Sequence, residues 1–290
     1  MKVLITGALG QLGYYLGISA PKDVVMTAVD IDDLDLTDSS GVSAFVKKLD
    51  PDIIINAAAY TAVDKAEDEK EAAFAVNSDG AYNLAVAAKD VSARMIHVST
   101  DYVFDGTNCS PYRCDAPTKP LGVYGCSKLE GEKRIQSVLA DSSLILRTAW
   151  LYSDRGNNFL KTMFRLMASG DSISVVADQV GTPTSAITLA DAVWRFVRKP
   201  ELSGVYHFTD NGIASWYDFA VAIMEESLSL GLLSTEIEIK PIAAVDYPTP
   251  AKRPFYSVLD KSKTFADIEI QGVHWRTALR EVLADIEMET

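Results

Sequence analysis

Close to the start of the chain an apolar run, Lys2–Thr6, breaks into Gly7-Ala8-Leu9-Gly10-Gln11-Leu12-Gly13, and this junction restricts the possible folds more than any other feature. Glycines spaced this way let a strand turn sharply into a helix and let backbone approach a ligand closely. The N–H groups that open a helix are unpaired and carry partial positive charge, which suits a pyrophosphate. Gly7, Gly10, Gln11, Leu12 and Gly13 are therefore candidate contacts of a dinucleotide.

The pattern that follows agrees with that start. Residues 24–30, 52–56, 95–99 and 143–147 are nearly continuous in apolar side chains, as strands covered on both faces must be. Residues 42–49, 71–89 and 127–139 carry apolar residues at helical spacing, and the second of these is rich in alanine. This alternation predicts an α/β fold with a doubly wound, parallel, Rossmann-like sheet and right-handed crossovers. Ligands of such sheets bind beyond the carboxyl ends of the strands. After Trp150 the pattern turns irregular: 158–168 and 215–229 read as helices, 173–176 and 204–208 as strands, with prolines between them. The expected organisation is a dinucleotide-binding domain over residues 1–150, rejoined by about 174–208. Residues 151–290 would form mainly a smaller C-terminal substrate-binding domain.

Forty acidic residues against 27 basic ones give a formal net charge of −13. That balance argues against nucleic acid or an anionic membrane as the main partner. Met1 to Thr6 runs directly into a strand pattern, without a basic and apolar leader. No apolar run approaches the roughly 18 residues of a membrane span, so the expected address is cytoplasmic. Cys109, Cys114 and Cys126 form no CxxC pair and read as free thiols, so no metal site is expected. The acidic residues Glu281, Asp285, Glu287 and Glu289 read as a solvated helix face.

Asp30 closes the second strand, where a carboxylate can accept hydrogen bonds from an adenosine ribose. Capping the turn is the other role open to it, because Asp32, Asp33 and Asp35 crowd the same loop. Asp35 and Leu36 are placed to border an adenine ring, with Leu36 as an apolar wall. After the third strand, Asn56-Ala57-Ala58-Ala59-Tyr60-Thr61 offers small side chains beside which a cofactor can pass, with contacts at Ala59, Tyr60 and Thr61. Tight packing of a strand end would select the same alanines.

Tyr124-Gly125-Cys126-Ser127-Lys128 carries the chemistry. Residues four apart share a helix face, and an ammonium beside a phenol favours the phenolate. Such a tyrosine can donate a proton to a carbonyl under reduction and recover it afterwards. Ser99-Thr100-Asp101 ends a strand between the glycine turn and this helix, and the Thr100 hydroxyl suits a substrate oxygen. Thr100, Tyr124 and Lys128 are the candidate catalytic residues of an oxidoreductase that uses NADPH or NADH. Asp30 would repel a 2′-phosphate, and residues 31–36 hold no lysine or arginine, which favours NADH.

In this order the motifs resemble the extended short-chain dehydrogenase/reductases. Residues 99–106 (STDYVFDG), 147–152 (RTAWLY), 156–159 (GNNF), 178–184 (DQVGTPT), 216–219 (WYDF) and 251–254 (AKRP) narrow the likeness. Together they are similar to the dTDP-4-dehydrorhamnose reductases over nearly the whole chain. The resemblance implies NAD(P)H-dependent reduction of dTDP-4-dehydro-6-deoxy-L-mannose to dTDP-L-rhamnose. It makes Tyr124 the proton donor, has Lys128 order the nicotinamide ribose, and sets Thr100 and Asp101 against the sugar. It also packs Trp150 on the sugar, although a tryptophan there suits the core equally. Arg253 becomes a clamp for the diphosphate, with a surface salt bridge as its alternative. Some relatives bind magnesium at a dimer contact through glutamates; the matching positions here, Tyr15 and Ile187, offer a hard cation no carboxylate. The expectation is a monomer with no metal-bridged dimer. Two rival readings remain, a non-catalytic regulatory or binding subunit of the same fold and a nucleotide-sugar 4-epimerase that keeps its NAD bound.

Overall fold

The computed structural model describes residues 1–170 and 172–286. Glu287 and Glu289, expected on a charged face, lie outside the described residues. The first half alternates as its apolar runs dictate: β1 (Lys2–Thr6), α1 (Gln11–Ile18), β2 (Val25–Val29), α2 (Ser39–Leu49) and β3 (Ile53–Asn56). α3 (Lys70–Phe74), a π-helical turn (Ala75–Gly80) and α4 (Ala81–Asp90) then lead to β4 (Arg94–Thr100), and α5 (Val123–Leu139) leads to β5 (Ser143–Thr148). Beyond it come β6 (Leu151–Tyr152), α6 (Phe159–Ala168), β7 (Ile173–Val176), β8 (Val180–Gly181), β9 (Thr184–Ser185), α7 (Ala186–Val197) and β10 (Gly204–His207). The chain continues through β11 (Ala214–Ser215), α8 (Trp216–Ser229), β12 (Ile239–Ile242), α9 (Ser262–Asp267) and α10 (Trp275–Ala284).

Six strands form one parallel sheet in the order β10-β5-β4-β3-β1-β2. Successive residues of a strand face opposite sides, so Leu4 and Ile5 are both sealed, each into a different layer. Ile5 joins Leu16 of α1 and Leu189 and Phe196 of α7. Leu4 joins Val42 of α2, Leu84 of α4 and Ile135 of α5. Each such side chain removed from water contributes about 1.5–3 kcal/mol, which is why near-continuous apolar strands settle in this doubly covered position. A third apolar cluster, with Leu160 of α6, Phe219 of α8 and Leu279 of α10, is the core of the smaller layer.

Three local features depart from the sequence expectation. The stretch from 174 does not return at once to the main sheet, because β7 pairs with β12 and β8 with β11. The chain rejoins the sheet with α7 and β10. The helix expected over 71–89 is divided by the π turn, which carries the buried Asn77. α5 begins at Val123 rather than 127, and the Val123 N–H donates to Glu67 Oε1 at 2.8 Å, so Tyr124 lies in its first turn. Among the described residues no helix is long and apolar enough to cross a membrane.

Candidate active site

The carboxyl ends of the central strands open into a cavity of about 860 Å³, toward the upper end of the roughly 300–1,000 Å³ range of small-molecule sites. Gly7, Gly10, Gln11 and Leu12 form one rim of it. Gly7 has φ +75°, and a Cβ there would stand 2.6 Å from the Ala58 nitrogen, so the turn and the end of β3 meet backbone to backbone. Gly13 does not line the cavity. It packs the first turn of α1 onto the Gly7 carbonyl, a structural place rather than the ligand contact expected of it.

Asp30 borders the same rim and also caps the turn. Its Oδ2 accepts the Leu9 N–H at 2.8 Å and its Oδ1 the Ile31 N–H at 2.9 Å, and a carboxylate has further lone pairs to offer. Asp35 is turned to Thr37, whose N–H and hydroxyl it accepts at 2.9 and 2.8 Å. Leu36 is buried and serves both the core and the cavity wall. Ala59, Tyr60 and Thr61 line the wall. The Tyr60 phenol donates to Glu69 at 2.7 Å, while its backbone is bracketed by Asn77, which accepts its N–H at 2.9 Å and donates to its carbonyl at 3.0 Å. The Asn77 amide also donates to Ser127 Oγ at 3.0 Å, tying this wall to α5.

Thr100, Asp101, Tyr124 and Lys128 meet on the opposite side of the cavity. Thr100 donates to Asp101 Oδ1 at 3.1 Å. Asp101 is buried, which pushes its carboxyl up to about 6, and its Oδ2 has no partner among the described residues. Burial also pushes the Tyr124 phenol up to about 12, with the Thr100 hydroxyl opposing and the Asp101 charge adding. The expected lowering of this phenol by Lys128 is therefore not what governs it. Lys128 Nζ instead donates to the Val98 carbonyl at 2.7 Å and lies 3.3 Å from His97 Nε2. Burial draws that ammonium down to about 8, opposed by the charge of Glu132.

Trp150 also lines the cavity, with φ +48° in a region that costs an L residue about 1–3 kcal/mol. Its indole stacks on that of Trp216 with centroids 3.5 Å apart and planes 6° from parallel. Gly181 lies against the other parts of the ring, where a Cβ would come within 2.6 Å. Trp150 thus joins the cavity wall and packs against the apolar clusters at once.

A family described as RmlD substrate binding domain matches residues 1–288 of this sequence. The chain belongs to this family. The dTDP-4-dehydrorhamnose reductase of Aggregatibacter actinomycetemcomitans is 42% identical, with 99% of each chain covered. Among solved structures, a dTDP-4-dehydrorhamnose reductase from Clostridium acetobutylicum superposes with TM-score 0.93 at 40% identity, covering 99% of this chain and 100% of that one. One from Bacillus anthracis, in complex with NADP, gives TM-score 0.93 at 35% identity over 98% of this chain and 99% of that one.

One expected contact falls elsewhere, and the two positions matched to the relatives' magnesium glutamates sit in or against the core. Arg253 does not line the cavity. Its terminal nitrogens meet the Asp64 carboxylate at 3.0 and 2.7 Å, and one also donates to Thr249 and the Ala251 carbonyl, so the ion pair occupies the fork. Tyr15 is buried and donates its phenol proton to Asp154 at 2.7 Å, and Ile187 packs against the same core. Sequence reasoning missed Asn77, His97 and Trp216, and the contact of Gln11 Oε1 with Ser153 Oγ at 2.9 Å and Asn158 Nδ2 at 2.8 Å. The GNNF and WYDF stretches held the signal for two of these, since each sets a polar or aromatic residue at a helix start.

Proposed function

We infer that this chain is an NAD(P)H-dependent reductase of the 4-keto group of dTDP-4-dehydro-6-deoxy-L-mannose, yielding dTDP-L-rhamnose. The observation that carries this reading is the single cavity holding Thr100, Tyr124 and Lys128 opposite the glycine turn, in a chain whose full-length relatives bear that name. The residues suit a dinucleotide. The turn at Gly7 brings the unpaired N–H groups that open α1 to the cavity rim, where they suit a phosphate, and small side chains at 57–59 leave room along the wall. Asp101 Oδ2 and Thr148 Oγ1 are buried without partners among the described residues, and both residues line the cavity, as groups awaiting a ligand would.

When bound, NAD(P)H supplies the hydride to the carbonyl carbon. Tyr124 stays protonated at neutral pH and gives its proton only as negative charge develops on the carbonyl oxygen. Thr100 orients that oxygen, and the Lys128 charge favours the phenolate left behind. Trp150 and Asp101 hold the sugar. In this reading residues 1–150 are the dinucleotide-binding part and most of 151–290 the substrate-binding part. The enzyme works in the cytoplasm as a monomer without bound metal, so EDTA leaves its mass and activity unchanged.

Incubation with the 4-keto-6-deoxy sugar nucleotide, following nicotinamide absorbance, tests the assignment. Stoichiometric loss of reduced cofactor is expected, with NADH within a few-fold of NADPH because no cation occupies 31–36. No loss would favour the binding subunit, and sugar conversion without net loss would favour the epimerase.

A further inference from the structure

A polar row lies behind the cavity and the proton donor does not use it. Thr6, Asn56 and His97 stand side by side across β1, β3 and β4, all sealed from solvent. Lys128 closes the row.

Counting protons along this row leaves one arrangement. The Ala58 N–H, which can only donate, meets Asn56 Oδ1 at 3.1 Å, and the Thr6 hydroxyl meets the same oxygen at 2.8 Å. The Asn56 NH2 therefore faces His97 Nδ1, at 3.0 Å. An amide NH2 has no lone pair to give, so Nδ1 accepts and the ring proton sits on Nε2. That Nε2–H points at Lys128 Nζ, 3.3 Å away. A neutral amine has a lone pair to receive it; an ammonium has none.

We propose that His97, locked by Asn56 in its Nε2–H form, is a positioning residue that holds Lys128 at the back of the cavity and lowers its proton affinity, so that the ammonium that favours the Tyr124 phenolate is lost at the alkaline limb. This rests on the reading of Lys128 as the partner of Tyr124. Burial pushes Lys128 in the same direction and keeps His97 well below its ordinary range, so the ring stays neutral. The opposing charge is Glu132 on α5, which Arg147 of β5 already engages at 2.6 Å and which Ser99 of β4 also bonds. Tyr124 on α5 and Asp101 beyond β4 are the other titratable groups on that side. The charge on Lys128 is thus set from behind, by a tautomer the ligand never touches.

Ring-nitrogen NMR of the three histidines reads the tautomer directly, with His97→Gln assigning the signal. The Nε2–H form is expected, and an Nδ1–H or charged ring would overturn the proposal. In His97→Gln a carboxamide can turn its oxygen to the ammonium. Lys128 then holds its proton longer, and the alkaline limb of kcat/KM moves up by about one pH unit, a tenfold change in proton affinity. A variant slowed equally at every pH, with the limb unmoved, would make His97 merely structural and overturn the proposal. Titration of Lys128 Nζ by NMR needs no turnover. A low-titrating Lys128 beside an Nε2–H His97 in an inert protein would therefore sink the reductase reading alone.

Discussion

The two sides of the cavity are built by different means. One is made of backbone: the Gly7 turn, the start of α1 and the alanines after β3, the side proposed for the cofactor. The other, proposed for the sugar, is made of side chains: Thr100, Asp101 and Tyr124, with Trp150 stacked on Trp216. A backbone surface meets charge with N–H groups and fails when an atom is added. A side-chain surface meets shape with rings and hydroxyls and fails when atoms are removed.

The largest effect should come where the two sides converge. Tyr124→Phe deletes only the phenolic hydroxyl, and kcat should fall about a hundredfold or more, with cofactor Kd little changed. Turnover at the native rate would place the proton source elsewhere. Gly7→Ala should weaken cofactor binding about tenfold or more, because overpacking costs about 1–3 kcal/mol. Fluorescence titration checks this, and an equal rise in KM for the sugar nucleotide would break the division between the sides. Trp216→Ala strips one face of Trp150 and should raise that KM about fivefold, since an aromatic pair contributes about 0.5–1.5 kcal/mol. Here cofactor Kd should hold steady. Arg253→Ala should be the mildest, under threefold in KM with a stability loss of about 1 kcal/mol or less, as for other partly exposed ion pairs. A tenfold rise would restore the diphosphate contact that the Asp64 pair displaces.

The same contrast explains what could be read from the chain alone. Strands β1 and β3 to β5 were legible because burial on both faces demands unbroken apolar runs. The start of α5 was legible only through the Tyr124 and Lys128 spacing and not through its apolar pattern, since Val123 is capped by Glu67 from a distant segment. The π turn was hidden for a like reason: Asn77 is held by Tyr60 and Ser127, neither of them near in sequence. Residues 173–176 do form the strand expected of them, but strand propensity says nothing about its partner, which is β12.

By itself the sequence determined the parallel α/β sheet, the glycine turn at its switch point and the helical spacing of Tyr124 and Lys128. These depend on local periodicity and backbone freedom, which neighbouring residues specify. Only the tertiary structure decided that Lys128 faces His97 and Val98, that Arg253 belongs to Asp64, and that Trp216 backs Trp150. Each of those choices is a competition among partners far apart in the chain. Packing settles it by which groups are desolvated together.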